Sequence, residues 1–325
     1  MPALPMVEHL IGLQGQESLP PYLSLAARLH DFDPAELSGL IERREAVRML
    51  TMRGTVHVLS GDDALALRPW VQPALDQQSR SNQNSRPARD LPVDALVAEV
   101  GRVLADGPLP VKALGERLAD AFPGVPPAAL AHAARERAPL VQVPPRGLWQ
   151  QSGGVVYQTL ERYLGRGTSQ VDVRDLVRRY LRAFGPATAG DMTTWSRVTR
   201  LGPVFASMRE ELVDVSCEDG RRRYDVPGAP YAPADAPAPV RLLGTYDNLW
   251  LSHADRTRVA PDDVRPRWMG SNGGVASTVF VDGFMAGLWR WRDGNVQVEL
   301  FRTLTRPQRS ELDAEIDRME DLLRR

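Results

Sequence analysis

The sequence predicts an α+β fold: three tandem winged-helix units, then a small C-terminal β-domain and a terminal helix. Three observations lead there. Amphipathic helical stretches recur in groups, and each group closes on short strand-like segments. A proline- and alanine-rich stretch, 228–239, then reads as a linker. Beyond it the pattern turns to strands joined by Asp282-Gly283 and Asp293-Gly294, dipeptides that favour tight hairpin turns. The expected divisions are 1–75, a polar linker 76–92, 93–170, 171–227 and 228–325.

The first unit opens on an apolar N-terminal segment, followed by a second segment, Tyr22 to Leu29, and a third, Pro34 to Arg48. Asp33 before Pro34 is a good helix start, a cap followed by proline at the first helical position. Thr51 to Ser60 alternates like a half-buried strand, and Gly61-Asp62-Asp63 begins another helix. Residues 76 to 92 are polar and read as a linker or flexible loop. In the second unit Leu96, Val100, Val103 and Leu104 mark a helix, Val111 to Phe122 a second and Pro126 to Arg137 a third. Leu140–Val143 and Leu148–Gln151 form the expected wing, with Arg146 at its tip. In the third unit Val173 to Phe184, Thr188 to Trp195 and Leu201 to Leu212 are helical. Val213–Val215 pairs with Arg223–Val226 around a turn. The expected strands of the β-domain are Val240 to Leu251, Thr278 to Val281, Met285 to Trp291 and Val296 to Leu300. Pro307 to Arg325 is a charged helix.

Composition bounds the function. The 325 residues are 43% hydrophobic and 25% charged, ordinary for a globular protein with a substantial core. No run approaches about 20 apolar residues, so no transmembrane helix or membrane partner is expected. The start lacks a basic signal-peptide region, and Cys217 is the one cysteine; both favour the cytoplasm. The net charge of −1 does not announce a nucleic-acid binder. However, Lys112 is the one lysine, so nearly every cation is arginine. High-GC coding accounts for such a bias without any function. Arginine also suits phosphate, because its planar fork can bond two oxygens at once. No His/Cys cluster suggests a metal and no glycine-rich loop suggests a nucleotide, so no cofactor is expected.

The organising motif is Leu13-Gln14-Gly15-Gln16. An isolated Gln-x-Gln on a helix is ordinarily solvated surface; this pair closes an apolar segment. Because residues i and i+2 do not share a helix face, the pair is expected where a helix ends, and Gly15 fits such an end. The order Gly12-Leu13-Gln14-x-Gln16, an amphipathic helix, then Arg53-Gly54-Thr55-x-His57-x-Leu59 resembles the winged-helix DNA glycosylases of the AlkZ/YcaQ type. Leu249 to Pro261, Asn272-Gly273-Gly274-Val275, Val281-Asp282-Gly283 and Gly287-Leu288-Trp289-Arg290 continue the likeness over nearly the whole chain. The family's middle residue usually carries an apolar side chain, whereas this sequence has Gly15.

That resemblance implies Gln14 and Gln16 as the catalytic pair. It sets His57 beside them, contacting the lesion-strand phosphate or orienting Gln16. Asp247 also matches a family position, and a turn or cap is the preferred explanation for it. Expected DNA contacts are Arg53, Thr55, Arg146, Arg197, Arg200, Arg221, Arg222, Arg256 and Arg258. The implied partner is double-stranded DNA carrying alkylated bases, bound by a monomer. The implied reaction is hydrolysis of the N-glycosidic bond of a cationic, N7-alkylguanine-type purine, with bulky or crosslinked adducts as a further substrate class, in repair or antibiotic self-resistance. A lyase route needs an amine, and Lys112 falls on a helix of the second unit. Only the Pro2 amine, exposed were Met1 removed, offers another. The alternative from a different class is a non-catalytic winged-helix DNA-binding regulator, which gains nothing from burying two glutamines.

Overall fold

A computed structural model describes the chain except residues 218, 219, 234 and 271–273. Asn272 and Gly273 of the sequence motif, and part of the 218–222 turn, therefore lie outside the described residues. In chain order the first segment holds α1 (Ala3–His9), β1 (Leu13–Gln14), α2 (Pro20–Ala26), α3 (Pro34–Glu42), β2 (Ala46–Leu50), β3 (Val56–Ser60) and α4 (Gly61–Ser79). The second holds α5 (Val93–Val103), β4 (Leu109–Pro110), α6 (Val111–Ala119), α7 (Pro127–Arg137), β5 (Leu140–Gln142), β6 (Val156–Thr159) and α8 (Leu160–Leu164). The third holds α9 (Val173–Phe184), α10 (Ala189–Ser196), α11 (Gly202–Ser207), β7 (Val213–Ser216) and β8 (Arg222–Asp225). The C-terminal part holds β9 (Arg241–Leu243), α12 (Asn248–Leu251), α13 (Arg265–Trp268), β10 (Thr278–Val281), β11 (Phe284–Arg292), β12 (Asn295–Leu300) and α14 (Arg306–Arg324).

The first two segments do not carry separate sheets. Their strands join in one six-stranded sheet, ordered β1-β3-β2-β5-β6-β4. The seam is the pairing of β2 with β5, where Arg48 faces Gln142 and Met49 faces Val141. Residues directly opposite one another share a sheet face. One row across the sheet is thus Leu13, Val58, Arg48, Gln142, Tyr157 and Leu109. On the other face a row runs Gln14, His57, Met49, Val141 and Gln158.

Four expectations change. The stretch Pro34 to Arg48 is not one helix: it breaks after Glu42, and Ala46–Leu50 is a strand with all five residues buried. Burial on both faces removes the alternation that would reveal it. The wing is also redrawn, because Leu148–Gln151 is turn and β5 pairs with Val156–Thr159 instead. Pro144 and Pro145 offer no N–H to a ladder. The connection is instead held on the first segment, with Tyr22 Oη donating to Gly147 O (2.8 Å) and Trp149 N donating to Ser38 Oγ (3.0 Å). In the supposed linker, residues 76–79 finish α4 and Asn82 Nδ2 donates to Glu136 Oε1. Finally, the expected strand Val240 to Leu251 is short β9 followed by helix α12.

One apolar core joins the first and third segments to the C-terminal sheet and α14; α5, α6 and α7 pack around a second. Buried polar contacts lock these parts. Arg28 makes a two-pronged ion pair with Asp247 at 2.7 Å each way, and Asp247 also caps α12 through Leu249 N (2.9 Å). Burial pushes the Asp247 carboxyl up, but the Arg28 guanidinium and the hydrogen bonds from Leu249 N and Ser24 together outweigh this and hold it below its ordinary value. Arg179 of α9 pairs with Asp63 (2.6 and 2.8 Å) and donates to Glu8 O (3.0 Å). No described helix is long and apolar enough to cross a membrane.

Candidate active site

Gln14 lies on β1, the edge strand of the six-stranded sheet, and not at the end of a helix. α1 stops at His9, a turn through Leu10–Gly12 follows, and the chain then runs antiparallel to β3, with Gln14 opposite His57. Asn248 of α12 holds that turn by donating to Gly12 O (2.9 Å) and Leu10 O (3.3 Å). In extended chain residues i and i+2 point the same way. Strand geometry therefore permits what a helix denies, two glutamines presented on one side. Gly15 N donates to Val56 O at 2.7 Å, which continues the pairing one residue past β1.

Each glutamine is held by one fixed donor. Gln14, 6% exposed, accepts at Oε1 from Arg53 Nη2 (3.0 Å). Gln16 is exposed and accepts at Oε1 from Val56 N (3.2 Å). An amide oxygen has two lone pairs, so each keeps one for a further partner.

Arg53 is the hub of the site. It sits at φ 58° in a short turn between β2 and β3. Its fork donates to Gln14 Oε1, to His57 Nε2 (2.9 Å) and to Trp195 O at the end of α10. A guanidinium has only N–H to offer. His57 Nε2 must then accept, which leaves the ring proton on Nδ1, 3.0 Å from Thr55 O. Burial, and then the charge of Arg53, hold His57 well below the ordinary imidazole range. Histidine here is a neutral acceptor, not an acid. Arg53 itself is pulled down to about 9, by burial first and then by Arg197 and Arg256. No carboxylate of the described residues forms an ion pair with it.

Other expected contacts fall around this centre or away from it. Thr55 contributes backbone and a bond from Oγ1 to Met52 O (3.2 Å). Arg197 and Arg200 stand exposed just past α10 at φ 67° and 63°. Arg256 donates to Trp250 O (2.7 Å), and it lines a cavity of about 580 Å³ with Arg221, Arg258 and Arg265. Arg258 lies 2.9 Å from His253, and Arg221 lies 3.5 Å from Asp255. Arg222 is apart from that cavity, exposed and paired with Asp214 at 3.5 Å. Arg146 is half-buried, donates to Gly153 O (3.1 Å) and lies beside Arg48. Arg48, Trp195 and Asn248 are contributors that no sequence motif signals. Arg48 was hidden in an apparent helix, and the other two act through side-chain or backbone contacts that only the fold creates.

A half-buried arginine with further arginines in electrostatic reach and no paired carboxylate suits a polyanion. The chain belongs to the AlkZ-like DNA glycosylase family, matched over residues 7–322, and so to a group of DNA-binding base-excision proteins. No curated protein matches it. Among solved structures it is similar to the Streptomyces sahachiroi DNA glycosylase AlkZ, with 21% identity, 99% of this chain and 91% of that chain covered, and a TM-score of 0.81.

Proposed function

We propose that this chain is a monofunctional DNA glycosylase. It hydrolyses the N-glycosidic bond of cationic, N7-alkylguanine-type purines in double-stranded DNA, as a monomer without a cofactor. We read its first three segments as winged-helix units that grip the duplex. The observation that carries the proposal is the pair Gln14 and Gln16, each with its amide oxygen anchored by a fixed donor and one lone pair to spare.

The chemistry fits weak acceptors. Alkylation at N7 makes the base a good leaving group. When the bond from C1′ to N9 breaks, its electron pair stays with the base and cancels the positive charge. Little acid catalysis is required, in keeping with a neutral His57. Positive charge appears instead on the sugar, as an oxocarbenium-like state. Two preorganised amide dipoles face that charge and orient the water that adds to C1′. The water's proton leaves to solvent, and the products are free modified base and an abasic site. Arg53, with Arg197 and Arg256, supplies positive potential for the adjoining phosphates. The role belongs to repair or to self-resistance against DNA-alkylating antibiotics.

The test is release of free N7-methylguanine from duplex DNA by purified protein in EDTA, with strand cleavage appearing only after alkali or heat. Tight duplex binding with no base release at any protein concentration would leave a non-catalytic winged-helix binder as the better account.

A further inference from the structure

Arg48 is a buried cation whose role the reaction has not yet used. Strand β2 carries it into the interior, where it is 1% exposed. Its Nη2 donates to Gly15 O at 2.7 Å, while Nε and Nη1 have no hydrogen-bond partner among the described residues. Burial, and then Arg146, pull it down to about 10, with the Tyr22 phenol acting the other way. A guanidinium stripped of water and given no counter-ion destabilises a fold, and an apolar side chain of similar volume would serve packing better.

What Arg48 does hold is the residue between the two glutamines. Gly15 N is tied to Val56 O at 2.7 Å and Gly15 O to Arg48 Nη2 at 2.7 Å, so the peptide groups on both sides of Gly15 are fixed. Two glycines make the approach possible. A Cβ at Gly15 would lie 3.0 Å from Arg48 Nη1, and one at Gly147 would lie 2.1 Å from Arg48 Cδ. Tyr22 Oη, bonded to Gly147 O, pins the second of these against the guanidinium.

We propose that Arg48 is a positioning residue for the glutamine pair: it clamps the Gly15 carbonyl so that Gln14 and Gln16 present their amides together, and arginine at 48 is what requires glycine at 15. The proposal rests on the reading of Gln14 and Gln16 as the catalytic pair.

Single-turnover release of N7-methylguanine, duplex Kd and melting temperature are measured on Arg48→Met, Arg48→Lys, Gly15→Ala and Arg48→Met/Gly15→Ala. Misplacing reacting groups by a fraction of an ångström costs rate rather than affinity, so Arg48→Met should slow base release roughly tenfold or more with Kd little changed. Lysine, which still offers a donor, should recover part of the loss. Gly15→Ala should slow the native protein but add little in the Arg48→Met background, since the atom its methyl meets is gone; contacting residues couple in this way. A native rate in Arg48→Met, or an equal Gly15→Ala loss in both backgrounds, overturns the clamp. If Arg48→Met does not fold, Arg48→Lys and Gly15→Ala decide. Both must slow base release at unchanged Kd, and a native rate in either overturns the proposal. The Gln14→Ala/Gln16→Ala variant runs alongside. Full activity there removes the underlying catalytic reading, whereas its inactivity beside a fully active Arg48→Met removes the clamp alone.

Discussion

The arginines beside the β1–β3 edge and those on the solvated surface differ in every respect but residue type. Arg174 and Arg178 on α9 reach across to Glu211, and Arg166 pairs with Asp62 at 2.6 Å. These are solvated ion pairs, the kind that contribute little. Arg48 and Arg53 point inward, lie close to other arginines, and donate to amide and carbonyl oxygens of the glutamine motif or its surroundings. A cation that forgoes a carboxylate is held in place by something else, and its charge stays available. Abundant arginine therefore says little in this chain; where an arginine lacks an acidic partner says more.

The largest effect should come from the motif that the inward arginines hold. Replacing both Gln14 and Gln16 by alanine should nearly abolish single-turnover base release. Each single change should cost less than the ~10²–10³ reached when one preorganised contact is lost, because the lesion is labile by itself. Burial separates the two glutamines: Gln14 is 6% exposed, whereas Gln16 stands exposed. Gln14→Ala leaves an Arg53 N–H without its acceptor and should cost about 1–3 kcal/mol in unfolding experiments; exposed Gln16 should not. Equal melting temperatures for the two single variants would contradict the burial contrast.

The ion pair of Arg28 and Asp247 sharpens the same contrast, because its carboxylate is buried yet paired. Asp247→Ala takes the carboxylate from a partly exposed Arg28, which keeps its bonds to Ser24, and should destabilise by about 1–3 kcal/mol, while base release per folded molecule stays near native. A specific loss of rate at unchanged stability would instead move Asp247 into the site.

The next effect is one of pH. His57 is held well below the ordinary value, and His253 is pulled down to about 4 by burial first and then by Arg258. Both bases are neutral in the folded protein and take a proton near pH 6.5 when unfolded. The unfolded state thus binds more protons below that pH, and stability must fall with acidification. For His253 the window runs from about 6.5 down to about 4. Thermal melts between pH 7.5 and 4.5 should show the decline, and His253→Phe should flatten it. A melting temperature that rises on acidification would reverse the sign and refute it.

At the small end, Arg53→Met and Arg166→Ala set the two arginine populations side by side. Arg53→Met should weaken duplex binding and lower the salt slope by about 1, the signature of a lost phosphate contact. Arg166→Ala should move stability by about 0.5 kcal/mol or less and leave the salt slope alone. Identical salt slopes for both would dissolve the distinction.

Local chemistry was legible without the fold. Asp33 caps α3 by accepting from Ala35 N at 2.9 Å. Thr188 and Asp191 form a capping box on α10, at the expected start of that helix. Asp282-Gly283 and Asp293-Gly294 adopt the positive φ that their hairpin turns demand. Each depends on neighbours within a few residues, and so does the periodicity that marks α9 and α14. The Gln-Gly-Gln motif was equally plain as a string of residues. Its setting was not. Two residues of β1 become a strand only because β3, some forty positions later, lies alongside, and a buried β2 shows no alternation to separate it from the helix before it. The pairing of β2 with β5 merges two expected sheets, and Arg48 reaches Gly15 across 33 positions. Such contacts are fixed by which strand edges meet. That choice is made by burial summed over the whole chain, so no window of sequence contains it.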